Sequence, residues 1–263
     1  MLFDTHCHLI LLNSDKIDIN AIAMNAVEKK VSLLIDISVG THDFLKRGAL
    51  AHELTNRFPL SVYMTAGIPP YYADKRKPAD IDDVRAQCRG EQRVIGIGEI
   101  GLDYYHLYGS KVKQKTLFIQ QIELANDLDL PVVIHTRDSD NDLIDIVKEH
   151  IPAKGGIIHC FSSGMESAKR LLDLGFVLSF AGNITYKKSY EIRDVARMVP
   201  EDMFVIETDA PYLSPEGKRG KPNEPANVAL IARFISDLRG ESLEMVASNT
   251  ADTARRVFGI QDD

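Results

Sequence analysis

Pro131-Val132-Val133-Ile134-His135-Thr136-Arg137-Asp138 is a short, unbroken, β-branched run that stops on an imidazole. Such a run reads as a strand buried on both faces, the condition of a parallel sheet covered by helices. The same pattern recurs along the chain, with strand-like runs expected at 2–6, 31–37, 60–66, 94–99, 131–135, 156–159, 176–180 and 203–207. Amphipathic helical patterns separate them, as at 114–129, where Leu117, Ile122, Leu124 and Leu128 keep roughly helical spacing, and 242–258 adds a helix at the end. Eight βα units in 263 residues fit an α/β fold of the (β/α)8 TIM-barrel type, for which about 250 residues are typical. A doubly wound open sheet is the alternative. Against it, the first βα turn carries no Gly-x-Gly-x-x-Gly loop, and no Gly-x-x-x-x-Gly-Lys-Ser/Thr segment occurs anywhere. No Gly/Ser linker, low-complexity tract or charge block divides the chain, so residues 1–263 are expected to form a single domain.

Composition narrows the possibilities further. A 44% hydrophobic content can bury one large core, and no window is long or apolar enough to span a bilayer. Met1 runs directly into polar Asp4 and His6 without a signal-peptide pattern, which makes a cytoplasmic, monomeric protein without membrane contact the expectation. Cys7, Cys88 and Cys160 are too few and too scattered for a disulfide framework or a four-cysteine zinc site. Cys7 and Cys160 each neighbour a strand histidine, so alternation is expected to turn both away from any site those histidines build. The formal net charge of -7 argues against a protein that coats nucleic acid by bulk electrostatics; phosphate binding would have to be local or metal-mediated.

Barrel enzymes carry their working groups at the C-terminal ends of strands, and ligand-type residues sit at those positions here. Asp4-Thr5-His6-Cys7-His8 closes the first run with two imidazoles on one face. Glu99 closes the fourth, His135 the fifth and His159 the sixth, while Asp209 follows the eighth in Glu207-Thr208-Asp209-Ala210-Pro211. Taken singly, each has a structural explanation: a hydrogen-bonded histidine, a turn-capping aspartate, a solvated loop acid. Together, six nitrogen and oxygen donors opening onto one rim read as a metal site. One catalytic ion takes about three protein ligands plus water, so two divalent ions are expected. In this reading His6, His8 and Asp209 hold one ion, His135 and His159 the other, and Glu99 bridges them at a spacing of about 3.5 to 4 Å. Water held there loses a proton near neutral pH, Asp209 orients it and takes the proton, and the expected chemistry is metal-assisted hydrolysis. Asp103 and Glu207 either orient the ligands or serve as satisfied structural acids.

The segments Asp4-Thr-His-Cys-His8, Gly98-Glu-Ile-Gly-Leu-Asp-Tyr104, His135-Thr-Arg-Asp138, His159-Cys-Phe-Ser162, Glu207-Thr-Asp-Ala-Pro-Tyr212 and Arg219-Gly-Lys-Pro-Asn-Glu-Pro225 together resemble the successive signatures of the TatD family of metal-dependent deoxyribonucleases. The resemblance runs in order over nearly the whole chain. It implies a metal-dependent hydrolase on a TIM barrel of the amidohydrolase superfamily, acting on ester bonds as a deoxyribonuclease of the 3′–5′ exonuclease type. It also implies that His6, His8, Glu99, His135, His159 and Asp209 are metal ligands. Two departures stand out. Where the family usually shows Gly-x-His-Pro, this chain has Gly67-Ile68-Pro69-Pro70, and proline offers no side-chain donor. The stretch His106 to Ser110 lacks the Arg or Lys usually found nearby.

Arg137, two residues after His135, and Lys218, Arg219 and Lys221, in the long loop after the eighth run, favour a phosphate substrate; as solvated loop cations they would carry no such meaning. Glu224 either tethers that loop or starts the next helix, and its proline context favours a structural role. Tyr71, Tyr72, Tyr104 and Tyr105 either stack the bases of DNA ends or pack the rim. The donor set suits Zn or Mn by softness, and Fe equally, while the resemblance suggests Mg. The alternative activity is hydrolysis of a carbonyl compound, an amide, lactone or aminoacyl-tRNA ester, by the same metal-activated water.

Overall fold

Each of the eight runs forms a strand, and the computed structural model, which describes residues 1–13, 17–77, 79–106 and 109–261, arranges them as one parallel sheet in chain order. The strands are β1 (Leu2–Cys7), β2 (Val31–Asp36), β3 (Ser61–Ala66), β4 (Val94–Asp103), β5 (Val132–Arg137), β6 (Gly156–Ile158), β7 (Val177–Phe180) and β8 (Phe204–Ile206). Helices alternate with them, giving a (β/α)8 barrel. Closure runs through the segment just past β8. Cys7 bridges Ala210, Asp209 N donates to His6 O at 2.8 Å, and His8 N donates to Ala210 O at 2.8 Å. Deeper in the same seam, Thr5 Oγ1 donates to Ile206 O, and Thr208 donates to the buried Asp4 carboxylate from both its amide and its hydroxyl. Three candidate ligands therefore lie on the seam that closes the barrel.

Two apolar layers hold this arrangement. Inside the barrel, Phe3, Leu33, Ile35, Val133, Ile157, Val177 and Val205 pack together, and Ala251, Ala254 and Phe258 of the C-terminal helix Leu243–Phe258 join them. Between barrel and helices lies a larger cluster, including Leu34, Val62, Ile97, Ile134, Leu178 and Phe204. The helix expected at 114–129 spans Lys111–Leu128 and starts on Ser110, whose hydroxyl accepts from Lys113 N. Its buried Gln114 and Gln121 each grip one backbone: Gln114 Oε1 and Nε2 bind Asp103 N and O, and Gln121 binds Ile68 N and O in the same way. Buried amides satisfied on both atoms fix the loops they grip.

The largest departure from the sequence reading is β4, expected to end at Glu99 but continuing to Asp103, paired with β5 through Gly101↔His135 and Asp103↔Arg137. Gly96-Ile97-Gly98-Glu99-Ile100-Gly101 has the spacing of a dinucleotide loop, yet it lies inside this strand and serves close packing. A Cβ on Gly98 would stand 2.6 Å from Val133 Cβ, and one on Gly101, at φ +132°, would stand 2.1 Å from His135 O. Only glycine permits that approach. It sets Glu99 and Asp103 beside His135.

A buried ion pair braces the β2 and β3 side. Arg47 Nε donates to Asp36 Oδ2 at 2.6 Å and Nη1 to Thr65 O at 3.1 Å, while Asp36 Oδ1 accepts from Leu9 N at 2.8 Å. Pro69 precedes the short turn Pro70–Tyr72, and Glu224 Oε2 accepts from Asn25 Nδ2, which ties the loop to the first long helix, while Glu224 also precedes the short helical turn Pro225–Asn227.

Candidate metal centre

Six donor side chains converge at the C-terminal mouth of the barrel. His6 Nε2 stands 3.7 Å from Glu99 Oε2 and 3.7 Å from Asp209 Oδ1, and His8 Nε2 stands 3.4 Å from the same Asp209 oxygen. On the other side, His159 Nε2 is 3.6 Å and His135 Nδ1 3.9 Å from Glu99 Oε2. The gaps at His6, His135 and His159 are too long for hydrogen bonds, but two ligands each about 2.1 Å from one tetrahedral ion stand about 3.4 Å apart. Two of the groups whose ligand atoms could share an ion are His6 with His8 and Asp209, and Glu99 with His135 and His159. Both sets contain residues the sequence reading placed together, with Glu99 grouped on the His135 and His159 side. A third group, His6 with His159 and Glu207, overlaps both.

The far nitrogens of the rings show which atoms face inward. His8 Nδ1 meets Ile37 O at 3.2 Å, and a carbonyl only accepts, so Nδ1 carries a proton and Nε2 faces Asp209; burial opposes the imidazolium, but the Asp209 carboxylate outweighs it and raises the imidazole above its usual range. His159 Nδ1 meets Glu207 Oε1 at 2.8 Å, and His135 Nε2 meets Asp103 Oδ2 at 3.3 Å. Three rings thus donate outward to a carbonyl or carboxylate and turn the other nitrogen toward the cluster, the arrangement that orients metal-binding histidines. His6, fully buried and stacked on His159 with centroids 3.7 Å apart, has no hydrogen-bond partner on either nitrogen among the described residues. A buried unpaired imidazole is costly unless something else binds it, and a cation shared with Glu99 and Asp209 fits that requirement.

Electrostatics follow from the same contacts. Burial works against the His159 imidazolium, but the Glu207 carboxylate outweighs it and the ring is pushed up to about 9. For His6, burial and the neighbouring His159 ring act together and hold it well below the usual histidine range. Burial opposes charge on Asp103 as well, yet hydrogen bonds from His135 and His106 hold that carboxyl well below its usual range. Asp4, beneath the seam, is pushed up to about 8 by burial despite its donors from Thr208. Glu207 also accepts from Cys160 N at 2.8 Å and Ser179 Oγ at 2.5 Å, so both of its oxygens are engaged. Asp103 and Glu207, for which two roles stood open, both contact ligand-type histidines.

A cavity of about 800 Å³ opens over the cluster. Arg137 lines it, its guanidinium 4.1 Å over the Tyr105 ring. Tyr71 and Tyr72 line it too, and burial followed by the Glu99 charge pushes the Tyr71 phenol well above its usual range. Tyr104 does not; its hydroxyl donates to Asp142 Oδ2 at 2.6 Å, away from the cavity lining. Lys218, Arg219 and Lys221 are exposed on the loop after β8, and none lines the cavity. Cys160 corrects another expectation. Because β6 ends at Ile158, strand alternation does not reach Cys160, which takes a left-handed conformation at φ +47° and lines the cavity. The sequence reading missed His42, His106, Asn183 and Tyr212, all in the lining. His106, three residues past Asp103, was the most legible of them, since its Nδ1 meets the same Asp103 Oδ2 that His135 contacts. Leu107 and Tyr108 of the stretch after Tyr105 lie outside the described residues.

Comparison with known proteins agrees with this geometry. The profile of the family described as TatD related DNase matches residues 3–259. The chain belongs to the TatD family of metal-dependent hydrolases. Among TatD-family relatives, the uncharacterized metal-dependent hydrolase YcfH of Escherichia coli K12 is 36% identical over 262 residues, covering 98% of this chain and 96% of YcfH. YabD of Bacillus subtilis 168, also named a metal-dependent hydrolase, is 34% identical over 261 residues, covering 99% of this chain and all of YabD. Among solved structures, the TatD homolog YjjV of Escherichia coli K12 superposes with a TM-score of 0.90 at 27% identity, covering 99% of this chain and 98% of that one. The lactonase Lmo2620 of Listeria monocytogenes shares the fold, with a TM-score of 0.73 at 14% identity and coverage of 99% and 95%. No helix among the described residues of this TatD-family chain is long and apolar enough to cross a membrane.

Proposed function

We propose that this TatD-family hydrolase is a deoxyribonuclease that removes nucleotides from DNA ends, as a 3′–5′ exonuclease, using two divalent cations, Mg, Mn or Zn. The observation that carries the reading is the set of inward-facing nitrogens on His8, His135 and His159, joined by the unpartnered His6 and the carboxylates of Glu99 and Asp209. His6, His8 and Asp209 would hold one ion, His135 and His159 the other, with Glu99 shared. When bound, such a pair supplies Lewis-acid charge at a phosphate and lowers the pKa of water into the neutral range.

The protein's own groups do the rest. Asp209 is held by its backbone N–H to His6 O and leaves its carboxylate at the cavity floor, where it orients the attacking water and takes its proton. Glu207 and Asp103 keep His159 and His135 in the tautomers that present lone pairs. Arg137, steadied on Tyr105, faces the non-bridging oxygens of the substrate, and Tyr71 and Tyr72 offer a surface for the terminal base. One eight-stranded sheet and a family match over residues 3–259 support reading residues 1–263 as one domain.

The second reading is hydrolysis of a carbonyl substrate on the same centre. In its favour, Arg137 is the one Lys or Arg among the described residues lining the cavity, and Pro69, where the family usually has a histidine, offers no side-chain donor. The deciding experiment is a time course of metal-loaded protein on 3′- and 5′-labelled single-stranded DNA, with EDTA and Asp209→Asn controls. Stepwise loss of 3′-terminal nucleotides, abolished by both controls, is the expected result. No cleavage with Mg, Mn or Zn, from protein shown to hold two ions, would overturn the nuclease reading in favour of the carbonyl one.

A further inference from the structure

The loops after β7 and β8 are joined into one rigid ridge beside the cavity. Thr185 Oγ1 accepts from Glu216 N at 2.8 Å, Tyr186 Oη donates to Ser214 O at 3.1 Å, and Ser214 Oγ donates to Lys221 O at 2.6 Å. Arg193 secures the ridge from behind, with Nε on Ile184 O at 3.0 Å and Nη2 on Thr185 O at 3.2 Å and on Tyr186 O. Arg219 lies 4.6 Å over the Tyr186 ring. The ridge starts in the cavity itself, since Asn183 from one loop and Tyr212 and Leu213 from the other line it.

Its composition departs from that of the whole chain. Residues 182–190 and 210–222 carry Lys187, Lys188, Lys218, Arg219 and Lys221 against one acid, Glu216, in a protein of net charge -7. All five cations are exposed, and none belongs to an ion pair found among the described residues. Aromatic rings interleave with them: Tyr186-Lys187-Lys188-Ser189-Tyr190 places a tyrosine at each end of the lysine pair, with Tyr190 67% exposed, and Tyr212 at the cavity edge is 54% exposed. Arg193 lies 5.9 Å over one face of the Tyr190 ring, and cations for phosphates beside exposed aromatic side chains for unstacked bases are the elements of a single-strand track. The cavity volume of about 800 Å³ lies in the range that takes one drug-sized ligand, so a polymer must leave it over some part of the rim.

We infer that this ridge is the exit track for single-stranded nucleic acid, holding the nucleotides that lie beyond the cavity. The inference rests on the nuclease reading for the identity of the polymer, but it makes a separate demand: affinity must grow with strand length through Lys187, Lys188, Lys218 and Lys221. It also accounts for the cationic loop after β8, which the sequence assigned to phosphate binding and the fold keeps out of the cavity.

The test is fluorescence anisotropy with metal-loaded protein and labelled oligothymidylates of three and twelve residues, end-protected by phosphorothioate linkages. The comparison is with a variant carrying Lys187→Gln, Lys188→Gln, Lys218→Gln and Lys221→Gln, all exposed positions where folding is retained, and with Tyr190→Ser. In the wild type the twelve-mer binds at least about tenfold more tightly than the trimer, and the quadruple variant loses that advantage. The plot of log affinity against log salt becomes shallower by about 3, at about 0.7 for each phosphate neutralised. Tyr190→Ser weakens the twelve-mer about fivefold or more, as loss of one stacked base does. Unchanged length dependence and salt slope in the quadruple variant would overturn the track. Equal binding of a sulfated polysaccharide, with no effect of Tyr190→Ser, would overturn its assignment to nucleic acid. Binding is read without cleavage, so failure of the nuclease reading appears only in the labelled-DNA time course.

Discussion

Replacing Glu207 by Gln should alter how metal binding depends on pH more than how tightly metal binds at neutrality. In the metal-free protein the Glu207 carboxylate keeps His159 protonated up to about 9, so an ion arriving at pH 7 must displace that proton. Two pH units below the folded pKa, this costs the wild type about 100-fold in apparent affinity, tenfold for each unit. In Glu207→Gln that charge and hydrogen bond are gone, burial is opposed only by the Asp209 and Glu99 charges, and the proton on His159 should be lost at a lower pH than in the wild type. The variant also loses the carboxylate that orients the ring and raises its basicity, a loss of about 10- to 100-fold. The two effects oppose each other at pH 7 and separate as pH rises. Competition with a fluorescent chelator for Zn between pH 6.5 and 8.5 should show wild-type log affinity climbing more steeply than the variant's by about one per pH unit. Isothermal titration in buffers of different ionisation enthalpy should show one fewer proton released by the variant. Parallel pH profiles would refute the reasoning, because they would mean that Glu207 does not govern the protonation of His159.

Other consequences are simpler to state. Metal-free protein should lose stability as pH rises from 6.5 to 9: the raised pKa of His159 stabilises the fold fully below 6.5, and that contribution disappears through about 9. The raised Asp4 works in the same direction up to about 8, so urea midpoints should fall, while metal-loaded protein should show the opposite trend as protons cease to compete. Arg47→Met should cost about 3 to 5 kcal/mol in urea denaturation, because it leaves the buried Asp36 carboxylate without its partner, whereas a cost below about 1 kcal/mol would contradict the bracing role. Lys30, at φ +63° between the helix Ile19–Glu28 and β2, should gain about 0.5 to 1 kcal/mol of stability on replacement by Gly, measured the same way. Arg137→Ala should raise KM for an oligonucleotide about tenfold or more with a smaller change in kcat, if its guanidinium contacts phosphate.

Much of the fold was legible because parallel strands buried on both faces announce themselves as apolar runs, and the ligand-type residues His6, Glu99, His135, His159 and Asp209 mark where those runs end. Strand length was less so. β4 outruns its apolar segment because Gly98 and Gly101 let it lie hard against β5, and pairing across a close approach leaves no periodic signal. Cys160 was misplaced for a related reason: alternation holds only while the strand lasts, and β6 stops two residues earlier. His42 and Tyr212 reach the cavity from loops whose course depends on the whole barrel. The cations after β8 were visible as a cluster, but only the contact of Tyr186 with Ser214 and Arg219 shows that they join Lys187 and Lys188 outside the cavity.

The central claim is that six side chains form a two-ion centre. Anomalous diffraction from crystals grown with Mn or Zn, collected on both sides of the metal edge, tests it most directly. The account predicts two peaks at the barrel mouth, one among His6, His8 and Asp209, the other between His135 and His159, with Glu99 reaching both. A single peak, or ions bound away from these rings, would contradict it.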